Sequence, residues 1–167
     1  MFREINIKDL KESPAELFDS RWGLLSAGDK NAYNMMTVSW GMLGELWNKD
    51  VCTVFVRPQR YTYEFTEKGE YFTVSFFPEK MKKALSICGT KSGRNIDKVS
   101  QAGLTPVFTD GTVTFEEAEY TVICRRIAVQ TIDPSGFIDG EIESNYPKKD
   151  YHLVYIGEIV KAYENRA

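Results

Sequence analysis

This chain is broken into short β-branched and aromatic runs, each closed by turn-forming residues, and that punctuation restricts its fold more than any other feature. Residues 51–56, VCTVFV, are the clearest case. The run is too short for a stable helix, its side chains suit a pleated surface, and Arg57-Pro58 ends it, so it reads as a buried strand. Residues 22–27 are apolar, Gly28-Asp29-Lys30-Asn31 is turn chemistry, and 34–39 resume a strand pattern, which together predict a β-hairpin. Residues 70–77, 113–115, 118–130 and 152–163 add further strands, the last two long enough to wrap a barrel. At least six strand candidates predict a mainly β domain, and closure into a barrel would remove its exposed edges.

Helices are expected only as short pieces. Ser13-Pro14-Ala15-Glu16 has capping-box spacing with Pro at the first helical position, so a helix should run from there to about residue 18. Thr62 is placed to cap a helix over 62–68 that Gly69 terminates. Met81, Ala84 and Leu85 give 81–87 helical spacing, residues 88–95 read as a Gly- and Ser-rich loop, and 96–102 as a further short helix. Residues 133–150 are a turn-rich excursion between the two longest strands.

At 167 residues the chain suits one domain, residues 1–167, burying roughly 70% of its unfolded surface. No run approaches the ~20 apolar residues of a membrane span, and MFREINIKDL lacks the apolar core of a secretory signal. Three widely spaced cysteines, with His152 as the one imidazole, predict neither a disulfide framework nor a metal site and point to a reducing cytoplasm. A formal charge of -3 leaves no electrostatic footprint for nucleic acid.

The segment NMMTVSW, 34–40, sets an Asn, a Thr, a Ser and a Trp beside an apolar strand. A planar aromatic ligand needs such a polar edge and such a flat wall, although a strand end with a core Trp would read the same way. Arg57 and Arg60 bracket a predicted helix start where an anion is favoured, or else are two solvated arginines. Ser92, Gly93 and Lys98 could bring backbone and ammonium groups to a phosphate, or could belong to an ordinary charged loop. The loop lacks P-loop spacing. His152 opens an apolar strand without a sequence-adjacent nucleophile, and Cys88 is isolated.

The blocks NMMTVSW, VRPQRYTYEF, GEYFTVSFF, CGTKSGRNIDK, GLTP and YHLVYIGEIV, in this order from about Trp22 to Tyr163, resemble the flavin reductase-like family of FMN-binding split barrels, flavoredoxin-type members in particular. The resemblance implies a Greek-key split β-barrel with a few short helices, a homodimer, and bound FMN. It also implies an oxidoreductase fed by NADH, NADPH or a protein electron donor, with an FMN carrier or storage module as the alternative. By motif position Asn34, Thr37, Ser39 and Trp40 would face the flavin, with Met35 and Met36 in the same block. Thr62 would contact the phosphate-ribityl end beside Arg57 and Arg60. Lys98, with Ser92 and Gly93, would meet phosphate or the ring edge, and His152 and Tyr163 would complete the pocket. Ser75 stands where many members carry Asn. No catalytic side chain is implied, because the flavin carries the chemistry.

Overall fold

The computed structural model describes residues 2–165. Ten strands form among them: β1 (Phe2–Ile5), β2 (Gly23–Gly28), β3 (Tyr33–Val38), β4 (Gly41–Leu46), β5 (Lys49–Val56), β6 (Tyr71–Phe76), β7 (Pro106–Thr109), β8 (Thr112–Phe115), β9 (Tyr120–Thr131) and β10 (Leu153–Asn165). Four short helices accompany them: α1 (Pro14–Glu16), α2 (Tyr61–Lys68), α3 (Lys82–Thr90) and α4 (Lys98–Ala102). None of these helices is long and apolar enough to cross a membrane.

Eight strands build one antiparallel sheet in the order β3-β2-β6-β9-β10-β5-β4, with β1 paired to the end of β10, while β7 and β8 pair as a separate hairpin. The sheet's outermost strands, β3 and β4, are consecutive in the chain and separated only by Ser39 and Trp40. At about 3.6 Å per residue, Val38 and Gly41 cannot lie more than roughly 11 Å apart. The sheet must therefore roll until its edges meet. No pairing joins β3 to β4 among the described residues, so the barrel closes through the chain and stays split along one seam. This is the split β-barrel expected, with Greek-key crossovers wherever neighbours in the sheet are distant in sequence.

Two cores follow from the period of two along each strand. Leu25, Ala27, Met36, Val38, Cys52, Val54, Val56, Phe72, Val74, Phe76, Val122, Cys124 and Tyr155 fill the barrel. On the outer face Leu24 and Met35 pack with Phe77, Leu85, Cys88, Leu104, Val113 and Phe115, which belong to or flank α3 and the β7-β8 hairpin. The outward-facing hydroxyls of β6 fasten that hairpin: Thr73 donates to the Val113 carbonyl at 2.6 Å, and Ser75 lies 3.0 Å from the hydroxyls of both Thr114 and Thr121.

Several local expectations change. α1 continues as one π-helical turn over Leu17–Arg21, and Ser13 makes no side-chain cap bond. Arg60, not Thr62, is the N-cap of α2; Thr62 lies inside the helix and is buried against β3. α3 absorbs Cys88, Gly89 and Thr90, predicted as loop, because Cys88 packs into the outer core and Lys91 N donates to the Ile87 carbonyl. α4 starts at Lys98, where Asp97 accepts from Ser100 N, and ends at Gly103, whose φ of 65° is left-handed. Strand β4 had no sequence signal. Its turn, Trp47-Asn48, takes φ values of 57° and 58°, the I′ geometry that Asn-Gly usually announces.

Candidate functional site

Four parts of the chain converge on the seam. The β3 exit supplies Met36, Thr37, Val38, Ser39 and Trp40; β5 and its exit supply Phe55 and Arg57; Arg60 precedes α2, and His152 precedes β10. Together they line a cavity of about 260 Å³. Trp40 is 44% exposed, its ring 5.0 Å from that of His152, and Phe55 meets the same imidazole edge-on at 6.4 Å. The three rings cluster at an angle to one another, tilted by 49° for Trp40 and 90° for Phe55 against the imidazole.

The cationic end is held in place by the protein itself. Arg57 pairs with Asp150 at 2.7 Å, donates to the Asn145 carbonyl at 2.8 Å, and sits 5.2 Å from the Tyr146 ring centre. Arg60 donates to the Gly89 carbonyl at 2.9 Å; burial, and then the nearby Arg57, lower its pKa from the ordinary value. His152 is buried, with Nδ1 2.9 Å from the Tyr146 hydroxyl. Burial first, then the charge of Arg57, lowers its pKa to about 4 against the opposing pull of Asp150, so the ring is neutral at pH 7.

The C-terminal end of α3 is tied to this site. Thr37 donates to the Leu85 carbonyl, Arg60 to Gly89, and Lys98 Nζ to Cys88 at 2.9 Å and to Met35 at 2.7 Å. The bonds from Arg60 and Lys98 satisfy the Gly89 and Cys88 carbonyls that the helix end leaves unpaired and place positive charge where the helix dipole favours it. The Lys98 ammonium is thus turned inward, and burial lowers its pKa to about 8, with Cys88 opposing and Arg60 adding to the shift. Burial pushes the Cys88 thiol up to about 11, so it is no ready nucleophile.

The predicted residues therefore divide. Met36, Thr37, Ser39, Trp40, Arg57, Arg60 and His152 meet at the seam. Asn34, Met35, Gly93 and Lys98 border a second cavity of about 310 Å³ against α2 and α4. There Asn34 donates to Thr62 at 2.9 Å, and Gly93 comes so close that a methyl group would sit 2.3 Å from Asn34 Oδ1. Ser92 accepts from Arg94 N at 3.2 Å within its own turn. Ser75 lies in the buried hydroxyl cluster beneath the β7-β8 hairpin, and Tyr163 packs on Phe2 at the far end of β10, on the order of 35 Å along the strand from His152. Neither lines the seam cavity. Sequence reasoning missed Phe55, Val38 and Tyr146. Alternation could have found Phe55: with Cys52, Val54 and Val56 inward, an aromatic falls on the outer face of β5.

The donor set fits a flavin mononucleotide. The half-exposed Trp40 ring, guanidinium N–H groups still unspent and a neutral imidazole suit a planar ring with an anionic tail. The volume lies just below the ~300–1,000 Å³ typical of ligand pockets, so the cavity has room for only part of such a molecule.

Residues 16–167 match the family model described as the flavin reductase like domain. The chain belongs to this family. Solved structures agree at the level of fold. A flavoredoxin from Methanosarcina acetivorans superposes with a TM-score of 0.68 at 24% identity, over 87% of this chain and 69% of that one. An FMN-binding protein from Thermus thermophilus with bound p-hydroxybenzaldehyde gives 0.71 at 19% identity, over 99% and 83%. The flavoredoxin of Desulfovibrio vulgaris (Miyazaki F) gives 0.68 at 18%, over 98% and 78%. No curated protein sequence matches significantly. In this flavin reductase-like domain the blocks NMMTVSW, VRPQRYTYEF and YHLVYIGEIV supply residues of the seam cavity, while CGTKSGRNIDK contributes to the second cavity behind it and GEYFTVSFF and GLTP line neither.

Proposed function

We propose that this flavin reductase-like chain binds FMN at the seam and acts as an oxidoreductase, taking electrons from NADH, NADPH or a protein donor and passing them to an acceptor. The observation that carries this reading is the convergence of Trp40, Arg57, Arg60 and His152 on one cavity from segments far apart in sequence. The names of two similar folds, flavoredoxin and FMN-binding protein, support it.

Bound FMN would supply the electron- and hydride-transfer chemistry. The chain's own work is binding and orientation. Trp40 and Phe55 offer ring faces. Arg57 and Arg60 offer the N–H groups not committed to Asp150, Asn145 and Gly89, and His152 offers a neutral nitrogen at the wall. No side-chain nucleophile is called for. Residues 1–167 form one functional unit in this reading, and a second copy of the chain covers the free edge of β4. On and beside that edge Trp40, Met42 and Trp47 are 44%, 54% and 58% exposed. Three free, buried cysteines accord with a reducing cytoplasm.

The test is spectroscopic. The purified protein should retain a yellow chromophore or gain thermal stability with added FMN, and an anaerobic mixture of the holoprotein with NADH or NADPH should bleach. A protein that neither colours nor stabilises with FMN sinks the flavin reading. FMN retained without bleaching by either nucleotide or a protein donor leaves an FMN carrier.

A further inference from the structure

One residue that does not line the cavity governs the chemistry of one that does. Tyr146, in the excursion between β9 and β10, is 4% exposed, and its hydroxyl lies 2.9 Å from His152 Nδ1. Its ring is held on several sides: Phe137 stacks at 6.1 Å, Tyr151 tilts against it at 4.9 Å, and the Arg57 guanidinium lies at 5.2 Å. The phenol cannot swing away without breaking that cluster.

A phenol carries one hydrogen, and a buried one needs an acceptor. The backbone N–H of His152 also donates to this hydroxyl and cannot take its hydrogen, so among the described residues Nδ1 of His152 is the acceptor the hydroxyl has. The hydrogen therefore goes to Nδ1, which must be bare, and the imidazole's own hydrogen must sit on Nε2. Nε2 has no hydrogen-bond partner among the described residues and is not sealed off, and His152 lines the seam cavity.

We propose that Tyr146 is a positioning residue that locks His152 as the Nε2–H tautomer, so that the imidazole meets the occupant of the cavity as a hydrogen-bond donor to a carbonyl oxygen or ring nitrogen. His152 then does not act as a base, because the nitrogen facing the cavity already carries its hydrogen. The charged and titratable groups around the pair agree. Arg57, at the exit of β5, opposes a second proton. Asp150 favours one but is already paired with Arg57, and Tyr151 hands its hydroxyl to Glu143 at 2.6 Å. Trp40 and Phe55 on the remaining sides carry no charge. The nature of the acceptor rests on the flavin reading above; the tautomer does not.

His152 is the chain's single histidine, so nitrogen NMR of histidine-labelled protein reads it alone. Without FMN at pH 7, Nδ1 should resonate as an unprotonated nitrogen and Nε2 as a protonated one, and adding FMN should shift Nε2 more than Nδ1. In Tyr146→Phe the tautomers should mix, and the imidazole should take its proton at a roughly tenfold lower proton concentration, a one-unit rise in pKa. A wild-type spectrum with Nδ1 protonated overturns the proposal whether or not the variant folds. So does a folded variant whose tautomer and titration match the wild type. The first measurement needs no flavin, so failure to bind FMN would remove the flavin reading and leave the tautomer result standing.

Discussion

The Asn34 side chain fills the space between Thr62, which accepts from its Nδ2 at 2.9 Å, and Gly93, whose missing methyl leaves room for its Oδ1. It joins β3 to α2 and to the loop before α4. Asn34→Ala would strand the buried Thr62 hydroxyl, and a loss of about 1–3 kcal/mol is expected, measurable as a lower urea midpoint at unchanged slope. His152 yields a pH prediction. Its folded pKa of about 4 lies below the ordinary 6.5, so the unfolded chain takes up the proton first. Stability is therefore fully present above pH 6.5 and drains away as pH falls toward 4, by roughly 3 kcal/mol at most. Urea melts at pH 7 and pH 4.5 should show this acid limb in the wild type and a much shallower one in His152→Phe. At this scale the sequence was legible in part. NMMTVSW names the seam wall, but its Asn and first Met face the α2 side of the strand's end and the outer core, because a pleated strand sends neighbours opposite ways. Lys98 was recognisable as important, yet its partners are carbonyls of Met35 and Cys88, which no side-chain pattern announces.

Helix α3 is short, and its last turn is held less by its own propensity than by Thr37, Arg60 and Lys98, each donating to a different carbonyl. Removing one clamp should loosen that end alone. In Arg60→Ala the amide of Lys91, bonded to Ile87 at 3.0 Å, should exchange with deuterium about tenfold faster while amides of β9 keep their protection. Uniformly faster exchange would instead mean general destabilisation. Elements with strong periodicity, such as β5, β6 and β9, could be read from their residues alone. β4 could not, because glycines at 41 and 44 dilute its pattern and its turn is Trp47-Asn48. Gly41 is there for a packing reason visible only in three dimensions: a methyl group at that position would overlap the Phe18 ring at 2.2 Å.

For the whole molecule, strand count alone implied a closed sheet, but the seam emerges only from register, since it depends on β3 and β4 being both chain neighbours and sheet extremes. That geometry leaves an apolar edge beside the cavity. If a second copy covers it, Met42→Lys should move gel-filtration elution from dimer to monomer with circular dichroism intact, and FMN should be held less tightly by the monomer. An elution volume identical to that of the wild-type dimer would put the interface elsewhere. The two separate cores have a different consequence. Cys52 and Cys124 are sealed in the barrel and Cys88 in the layer outside it, so the native fold hides every thiol from reagents. Each sulfur is a clock for its own compartment. Modification of Cys88 times the lifting of the helical layer, and modification of the other two times the opening of the barrel.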